Sequence, residues 1–223
     1  MDVSYPSRYS PSRISDRLTE EGRAVPTRIA SGRREELLVG VMDIVSARGF
    51  SDVRITDMAA ELHCSLSSLY KIAPNKDSLV VVAVCHWGEV KLARAEADSQ
   101  QGSKASDRAR LYVRSAAEAI SPLSHAFRRD LERFGSVRFA FMTISDRFVD
   151  RLADLIEEAA GSGEVRPINA RFVAEFIRYS SAAVRDESLL EAAGLSAAEG
   201  MLAFDTIFWE GLLPCPSRDT GSH

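Results

Sequence analysis

Apolar residues recur along most of this chain at the three- and four-residue spacing that is typical of amphipathic helices. The first such segment spans Arg33 to Arg48. Its apolar face is formed by Leu37, Leu38, Val41, Met42, Ile44 and Val45. Gly49 predicts the C-terminal end of this helix, because glycine readily adopts the left-handed conformation that terminates helices. No segment alternates apolar and polar residues for long enough to predict a strand, so the pattern predicts an all-α fold.

Two short helices and a longer one are predicted to follow. Thr56 is expected to cap the first short helix, and Ser65 is expected to cap the second, which Pro74 prevents from continuing. Their apolar positions are Ile55, Met58, Ala59 and Leu62 in the first helix and Leu66 and Leu69 in the second. Asn75 is expected to cap a long helix from Lys76 to about Ala97.

The remaining chain is predicted to be helical as well, after a polar break at 99–103. The expected helices are Ser106–Ile120, Leu123–Phe134, Arg138–Ala160, Asn169–Leu190 and Ser196–Leu212. The pattern therefore predicts two helical domains, at 31–80 and 81–214, followed by a flexible tail at 215–223.

Residues 1–30 are rich in Ser, Pro and Arg and lack a sustained apolar period, which predicts a disordered arm. Its arginines are Arg8, Arg13, Arg17, Arg23 and Arg28. Two interpretations stay open for this arm: a solvated tail, or a basic extension that enters a DNA minor groove beside a main contact.

The overall composition is that of a soluble globular protein, with 45% apolar and 27% charged residues among 223. No apolar run is long enough to span a bilayer, and no signal-peptide pattern is present at the N-terminus, so we expect a cytoplasmic protein. The three cysteines do not predict a disulfide framework. Cys85 and His86 point about 100° apart on a helix, so we expect no metal site there, and no cofactor is expected.

The net charge of −4 is unusual for a nucleic-acid-binding protein. Residues 1–80 contain 11 Lys and Arg against 11 Asp and Glu, so the negative charge lies in the rest of the chain. Only side chains near phosphates release counterions on binding DNA, so local charge matters more than the total. The segment from Ser65 to Lys76 has two lysines and no acid, which permits DNA binding.

The two short helices, joined by a turn of three or four residues, match the pattern of a helix-turn-helix. In that motif the second helix buries an apolar side and presents small polar groups to the major groove. The polar residues at the corresponding positions are Ser65, Ser67, Ser68, Tyr70 and Lys71. Two alternatives remain open: Tyr70 could be a packing residue, and Ser65 could be only a helix cap.

The stretch ITDMAAELHCSLSSLY from Ile55 to Tyr70, followed by Asn75, Lys76 and Leu79, resembles the signature of the TetR family of transcriptional regulators. This resemblance implies an N-terminal three-helix DNA-binding domain and a C-terminal helical domain for ligand binding and dimerisation. It also implies two sets of DNA contacts. Phosphates would be held by Thr56, Tyr70 and Lys76, and the groove would receive Ser65, Leu66, Ser67 and Ser68.

The chain departs from the family pattern at three places. Ile72 and Ala73 replace a His-Phe pair, which removes one phosphate contact and one core aromatic residue. His63 occupies a turn position that is usually glycine, and Ser67 replaces a glycine inside the recognition helix. These changes leave the operator sequence open.

The second domain supplies most of the aromatic residues. We expect a mainly hydrophobic ligand between its helices, in contact with Trp87, Tyr112, Phe127, Phe134, Phe141 and Met142. The candidate polar anchors are His125, Arg128 and Arg138. A dimer interface is expected on the last two helices, at Phe172, Phe176, Ser180, Ala183, Met201 and Phe208.

Taken together, these features predict a homodimeric repressor that binds a palindromic double-stranded DNA operator and is released by a small hydrophobic effector. A helical enzyme is disfavoured, because the sequence has no His-x-x-x-His, Cys-x-x-Cys, Gly-rich phosphate loop or Gly-x-Ser-x-Gly motif. A helical ligand-binding or adaptor dimer with a degenerate DNA-binding head is the other alternative, suggested by Ile72 and Ala73.

Overall fold

The computed structural model describes residues 31–183 and 187–212. All regular structure in these ranges is helical, which confirms the all-α fold class. The helices are α1 (Ser31–Arg48), α2 (Ile55–Glu61), α3 (Leu66–Tyr70), α4 (Lys76–Ser99), α5 (Ala105–Ile120), α6 (His125–Arg133), α7 (Gly135–Gly161), α8 (Ala170–Ala183), α9 (Glu187–Ala193) and α10 (Ala197–Leu212). The predicted arm at 1–30 and tail at 215–223 lie outside the described residues.

Most predicted helix ends agree with the structure to within a few residues, with one exception. The single helix expected over Asn169–Leu190 corresponds to two helices, α8 and α9, on either side of 184–186. Those three residues lie outside the described ranges.

Local capping signals explain where the short helices begin. The Oγ of Ser65 accepts the backbone N–H of Ser68 at 3.2 Å, and Oδ1 of Asn75 accepts that of Ser78 at 2.8 Å, as the sequence predicted. The expected cap at Thr56 is wrong, because α2 already begins at Ile55 and its N-cap residue makes no side-chain capping hydrogen bond.

The turn between α2 and α3 contains a residue with positive φ, as expected from the sequence. His63 has φ +48° where the family pattern has glycine. This left-handed conformation is unfavourable for most residues with a side chain. Backbone bonds fix the turn on both sides, from the N–H of His63 to Ala60 O at 3.2 Å and from that of Cys64 to Ala59 O at 2.9 Å.

One apolar cluster joins the N-terminal helices to the base of the second domain. It contains the buried faces of α1, α2 and α3 and also Phe127 and Val137, from α6 and α7. Phe50 lies at its centre, with ring centroids 5.7 Å from Phe127 and 5.1 Å from Phe134. The two predicted domains therefore share a core at their junction.

Asp130 on α6 holds this junction together by hydrogen bonds. It is 1% exposed, and its Oδ2 accepts the backbone N–H groups of Phe50 and Ser51, each at 2.7 Å. The N–H of Ser124 also donates to the carbonyl of Ser46 at 2.9 Å. The chain after α1 is thereby attached directly to α6.

A second apolar cluster lies in the C-terminal helices, among α4, α5, α7, α8 and α10. The first turn of α5 has no capping side chain of its own. Glu164, in the loop after α7, supplies the acceptor instead: its Oε2 accepts the backbone N–H of Ser106 at 2.8 Å. The hydrogen bonds that the Glu164 carboxylate accepts, chiefly the one from the backbone N–H of Ser106, lower its pKa from 4.5 to about 2.

Candidate nucleic-acid interface and ligand cavity

The surface around α3 exposes most of the side chains that were predicted to contact DNA. Ser65, Ser67, Tyr70 and Lys71 are exposed and Ser68 is half-buried, whereas Leu69 is fully buried in the first cluster. These side chains are thus presented to solvent by a helix that is anchored through its opposite side. We call this set, Ser65, Ser67, Ser68, Tyr70 and Lys71, the α3 surface.

Leu66 is not part of the buried side of α3. Its side chain is 38% exposed, so the apolar face that the sequence predicted from Leu66 and Leu69 consists of Leu69 alone. Exposure at this position agrees with the alternative expectation that Leu66 approaches a groove.

The serine hydroxyls of the α3 surface form a small hydrogen-bonded group. The Oγ of Ser65 lies 2.9 Å from the Oγ of Ser67 and 2.9 Å from that of Ser68. Each hydroxyl can still donate or accept once it rotates. Ser65 is therefore both a helix cap and a member of an exposed cluster of three serine hydroxyls.

Lys76 has a structural contact where the resemblance implied a phosphate contact. Its Nζ donates to the carbonyl oxygens of Phe50, Ser51 and Val53 at 2.8, 3.0 and 3.2 Å. An ammonium has three donors, and all three are used by these carbonyls. In this structure the side chain of Lys76 therefore holds the α1–α2 connection.

Arg54 is an exposed cation at the start of α2 that the sequence reasoning missed. It is exposed, it precedes α2 directly, and it has no ion pair within 31–183 or 187–212. Thr56, two residues further along, is also exposed, and its Oγ1 contacts Oδ1 of Asp57 at 3.3 Å. The only sequence feature that could have identified Arg54 as a candidate is its position just before a predicted helix.

A cavity of about 340 Å³ lies among α4, α5, α7 and α8. Its walls include the aromatic rings of Trp87, Phe141 and Phe148 and the small side chains of Ala95, Ala116 and Ala117. The alanines on α4 and α5 leave the space that larger residues would fill. The volume is in the range of ligand sites for small organic molecules.

Two of the six residues expected to contact a ligand line this cavity, namely Trp87 and Phe141, whose rings stack at 6.0 Å. The other four do not line it. Tyr112 is buried behind the cavity wall and stacks on Phe148 at 5.2 Å. Phe127 and Phe134 belong to the first cluster beside Phe50, and Met142 is exposed outside the cavity lining.

The polar groups of the cavity also differ from those expected. Its lining includes Lys91, Ser145, Arg178, Tyr179 and Ser181. The expected anchors are elsewhere: His125, Arg128 and Arg138 are exposed and do not line the cavity. The sequence did not predict these polar lining residues, because the apolar pattern of one helix does not specify which of its faces borders a cavity.

A second cavity of about 330 Å³ lies between α1 and α4. It is lined by Met42 and Asp43 of α1 and by His86, Val90 and Lys91 of α4. Trp87, Lys91 and Ala119 line both cavities. The second cavity therefore lies next to the ligand cavity, on the side of the N-terminal domain.

Ion pairs join α4 to α7 along the side of the cavity. Glu96 accepts from Nε and Nη2 of Arg151 at 2.8 Å each, and Glu89 pairs with Arg147. These hydrogen bonds lower the pKa of both carboxyl groups. Burial raises the pKa of the neighbouring Tyr112 to about 12, so its phenol stays protonated.

The helices expected to form a dimer interface expose large apolar side chains. On α8, Phe172 is 67% and Phe176 51% exposed, and on α10, Ile207 is 74% exposed. The rings of Phe172 and Phe176 stack at 6.4 Å, and Phe176 stacks on Phe208 at 6.5 Å. We call this exposed surface the α8–α10 face.

Three further positions complete the predicted interface. Ser180 is half-buried on α8. The side chains of Ala183 and Met201 lie outside the described residues.

Searches of the described residues found no cluster of metal-binding side chains. The same residues contain no helix with both the length and the apolar character needed to cross a membrane.

No family model matches this sequence, and no curated protein matches it. Solved structures match the fold. A protein from Saccharomonospora viridis, described as a transcriptional regulator in complex with choline, superposes with a TM-score of 0.71 at 17% identity, covering 83% of this chain and 100% of that chain.

Two proteins described as TetR-family transcriptional regulators match in the same way. The protein from Rhodococcus sp. has a TM-score of 0.66 at 18% identity and covers 82% of this chain and 100% of its own. The protein from Cytophaga hutchinsonii has a TM-score of 0.66 at 15% identity, with coverages of 85% and 100%.

Proposed function

We propose that this chain, which has the fold of TetR-family transcriptional regulators, is a homodimeric repressor that binds a palindromic DNA operator. A small, mainly hydrophobic effector binds in the cavity of each protomer and releases the protein from DNA. The observation that carries this proposal is the α3 surface: a short helix buries Leu69 completely and exposes hydroxyl, phenol and ammonium groups.

The chemistry of the α3 surface supports DNA contact. Small hydroxyl side chains can approach base edges, and the phenol of Tyr70 and the ammonium of Lys71 can contact phosphate oxygens. Arg54 adds a guanidinium at the start of α2 and takes the place that Lys76 was expected to fill.

The long helix α4 supports coupling between effector and DNA. Its first residue, Lys76, holds the α1–α2 connection, and its middle contributes Trp87 and Lys91 to the cavity. A ligand that displaces the middle of α4 would move its start, and with it the α3 surface. A preference of ~1–3 kcal/mol for the released arrangement changes operator occupancy about five- to 150-fold.

Exposure of aromatic residues on the α8–α10 face supports a dimer. Two helices from each protomer can form a four-helix bundle about a two-fold axis, which buries this face. The same axis gives two reading heads, as a palindromic operator requires. Among proteins of this fold, the one solved with choline supports a ligand-responsive role.

The test is a gel-shift titration of the purified protein with DNA flanking its own gene, at several salt concentrations. We expect a retarded band that weakens as salt rises, because phosphate contacts release counterions. A variant with Tyr70→Phe and Lys71→Gln should bind more weakly with a shallower salt dependence, while Lys91→Gln, in the cavity, should bind DNA as the wild type does.

The degenerate-head alternative makes the opposite prediction. It expects a folded dimer with no salt-dependent affinity for any flanking DNA. That result would overturn the repressor proposal and leave ligand binding in the cavity to be judged separately.

A further inference from the structure

We infer that the cavity among α4, α5, α7 and α8 takes an organic anion with an apolar body, whose negative group is bound by Lys91. This inference rests on the proposed function for the view that the cavity receives the effector. It goes further by assigning the charge of that effector and the residue that recognises it.

The charges that line the cavity are all positive. Lys91 and Arg178 are the two charged residues among its lining, and no Asp or Glu belongs to it. The rest of the lining is apolar, aromatic or hydroxyl-bearing. A positively charged ligand would therefore find no carboxylate among the lining residues.

The charge of Arg178 is already neutralised within the protein. Its Nε and Nη2 donate to Oε2 of Glu175 at 2.9 and 2.6 Å. Its guanidinium also lies 4.6 Å from the ring centroid of Tyr179. Arg178 is thus engaged by neighbours on its own helix.

Lys91 differs from Arg178, because it has no ion pair or hydrogen bond within the described part of the chain. Its neighbours one turn away on α4 are Trp87, Gly88, Arg94 and Ala95, none of which is acidic. The ammonium of a half-buried lysine beside an apolar cavity is a group for which a bound anion would be a good partner.

Two acids on other helices face the neighbourhood of Lys91. Glu118 of α5 lines a small cleft together with Lys91 and Arg94, and Asp43 of α1 lines the second cavity. Neither carboxylate lies within 4.0 Å of the Lys91 ammonium, and neither lines the ligand cavity. Both are exposed, so water screens their charge.

The position of Lys91 also suits an amphipathic ligand. It lies one turn after Trp87, whose ring forms an aromatic wall with Phe141. The apolar stem of a lysine can pack on such a wall while its ammonium stays at the polar rim. An anion with its apolar body between Trp87 and Phe148 would then place its charged end at Lys91.

The inference is tested with three probes that share a ten-carbon chain and differ in charge: sodium decanoate, 1-decanol and decyltrimethylammonium bromide. Binding to the full-length protein is measured by isothermal titration calorimetry without DNA, below the concentration at which each probe aggregates. We expect decanoate to bind about tenfold more tightly than decanol, equivalent to about 1.4 kcal/mol, and the cationic probe to bind most weakly.

Two variants locate the effect. Lys91→Gln should reduce decanoate affinity to that of decanol and leave decanol unchanged. Arg94→Gln removes a cation from the same helix outside the cavity, where it is 68% exposed and pairs with Asp98, so it should change none of the three affinities.

The inference is overturned if decanol or the cationic probe binds as tightly as decanoate, if Lys91→Gln does not change decanoate binding, or if no probe binds. Because calorimetry uses no DNA, these outcomes are independent of the gel shift. Decanoate binding with no operator binding would retain the anion site and reject the repressor.

Discussion

Lys71 and Lys76 carry the same charge five residues apart, but their ammonium groups have different surroundings. Lys71 is exposed on the α3 surface, whereas Nζ of Lys76 is surrounded by three backbone carbonyls. A charge that faces solvent is available for a phosphate, and a charge that holds a loop is not. The two residues therefore form a matched pair for separating DNA contact from stability.

We expect Lys71→Gln to weaken operator binding and to lower the salt slope of binding by about 1, with unchanged stability. Lys76→Gln should instead lower the free energy of unfolding by about 1–3 kcal/mol, because it removes charge-assisted hydrogen bonds. Urea unfolding and salt-dependent DNA titrations of both variants measure these effects. The assignment is wrong if Lys76→Gln reduces the salt slope and leaves stability intact.

Asp130 is the other residue at the α1–α2 connection whose role can be measured. Removing its carboxylate leaves the buried N–H group of Phe50 and the partly buried one of Ser51 without their acceptor, and a buried donor left unpaired costs about 1–3 kcal/mol. We expect Asp130→Ala to lower the free energy of unfolding by about 2–4 kcal/mol. Asp130→Asn should lower the free energy of unfolding by less, since an amide oxygen can still accept both hydrogen bonds.

Asp154→Ala, at an exposed position of α7, is the control for these Asp130 variants and should change stability little. Equal unfolding curves for Asp130→Ala and the wild type would contradict the role assigned to Asp130. Urea titration followed by circular dichroism gives both measurements.

At the scale of helices, α5 depends on a residue outside itself. The Glu164 carboxylate, whose pKa is lowered to about 2, accepts hydrogen bonds at the first turn of α5. A carboxyl group with a depressed pKa stabilises the fold only while it is ionised. This stabilisation is complete above the ordinary pKa of 4.5 and is lost as the pH falls towards 2.

We therefore expect Glu164→Gln to be less stable than the wild type at neutral pH, with a difference that shrinks as the pH falls from about 5 to about 2. Thermal unfolding midpoints across this pH range measure the difference. Glu157→Gln, at an exposed position of α7, controls for the loss of one negative charge. A difference between Glu164→Gln and the wild type that stays constant with pH would contradict this account.

Helix positions were largely predictable because the signals that start and stop helices are local. Ser65, Asn75 and Gly49 each act within one turn of their own position. The cap at Glu164 was not predictable, since it joins residues 58 positions apart. The same limit explains Lys76, whose partners lie 23 to 26 residues earlier, in the α1–α2 connection.

The cavity was predictable only in part, for a related reason. Phe127 and Phe141 both lie on apolar faces of helices in the second domain, and the sequence pattern does not separate them. Packing places Phe127 at 0% exposure beside Phe50, whereas one side of Phe141 borders an empty space. That difference depends on how α4, α5 and α7 are arranged, which a single helix pattern does not specify.

For the whole molecule, the α8–α10 face makes a prediction about assembly. Phe176 stacks on its neighbours within this face, and a charge at this position would be buried in a dimer without a partner. We expect Phe176→Asp to convert the dimer to a monomer and to weaken operator binding, because one reading head is lost. Size-exclusion chromatography with light scattering measures the mass.

Phe139→Asp is the matched control for Phe176→Asp. Phe139 is a similarly exposed phenylalanine on α7, outside the α8–α10 face. The Phe139→Asp variant should therefore have the same mass as the wild type. A Phe176→Asp variant that retains the wild-type mass would contradict the assignment of a dimer interface to the α8–α10 face.

The connection between α1 and α2 is hydrogen-bonded from two sides, by the ammonium of Lys76 on α4 and by the carboxylate of Asp130 on α6. This has a consequence for protein engineering. A chimera that grafts residues 31–80 onto a foreign effector domain would keep the lysine and lose the aspartate. Exchanging N-terminal domains between proteins of this fold would therefore require the recipient domain to supply a carboxylate at the position of Asp130.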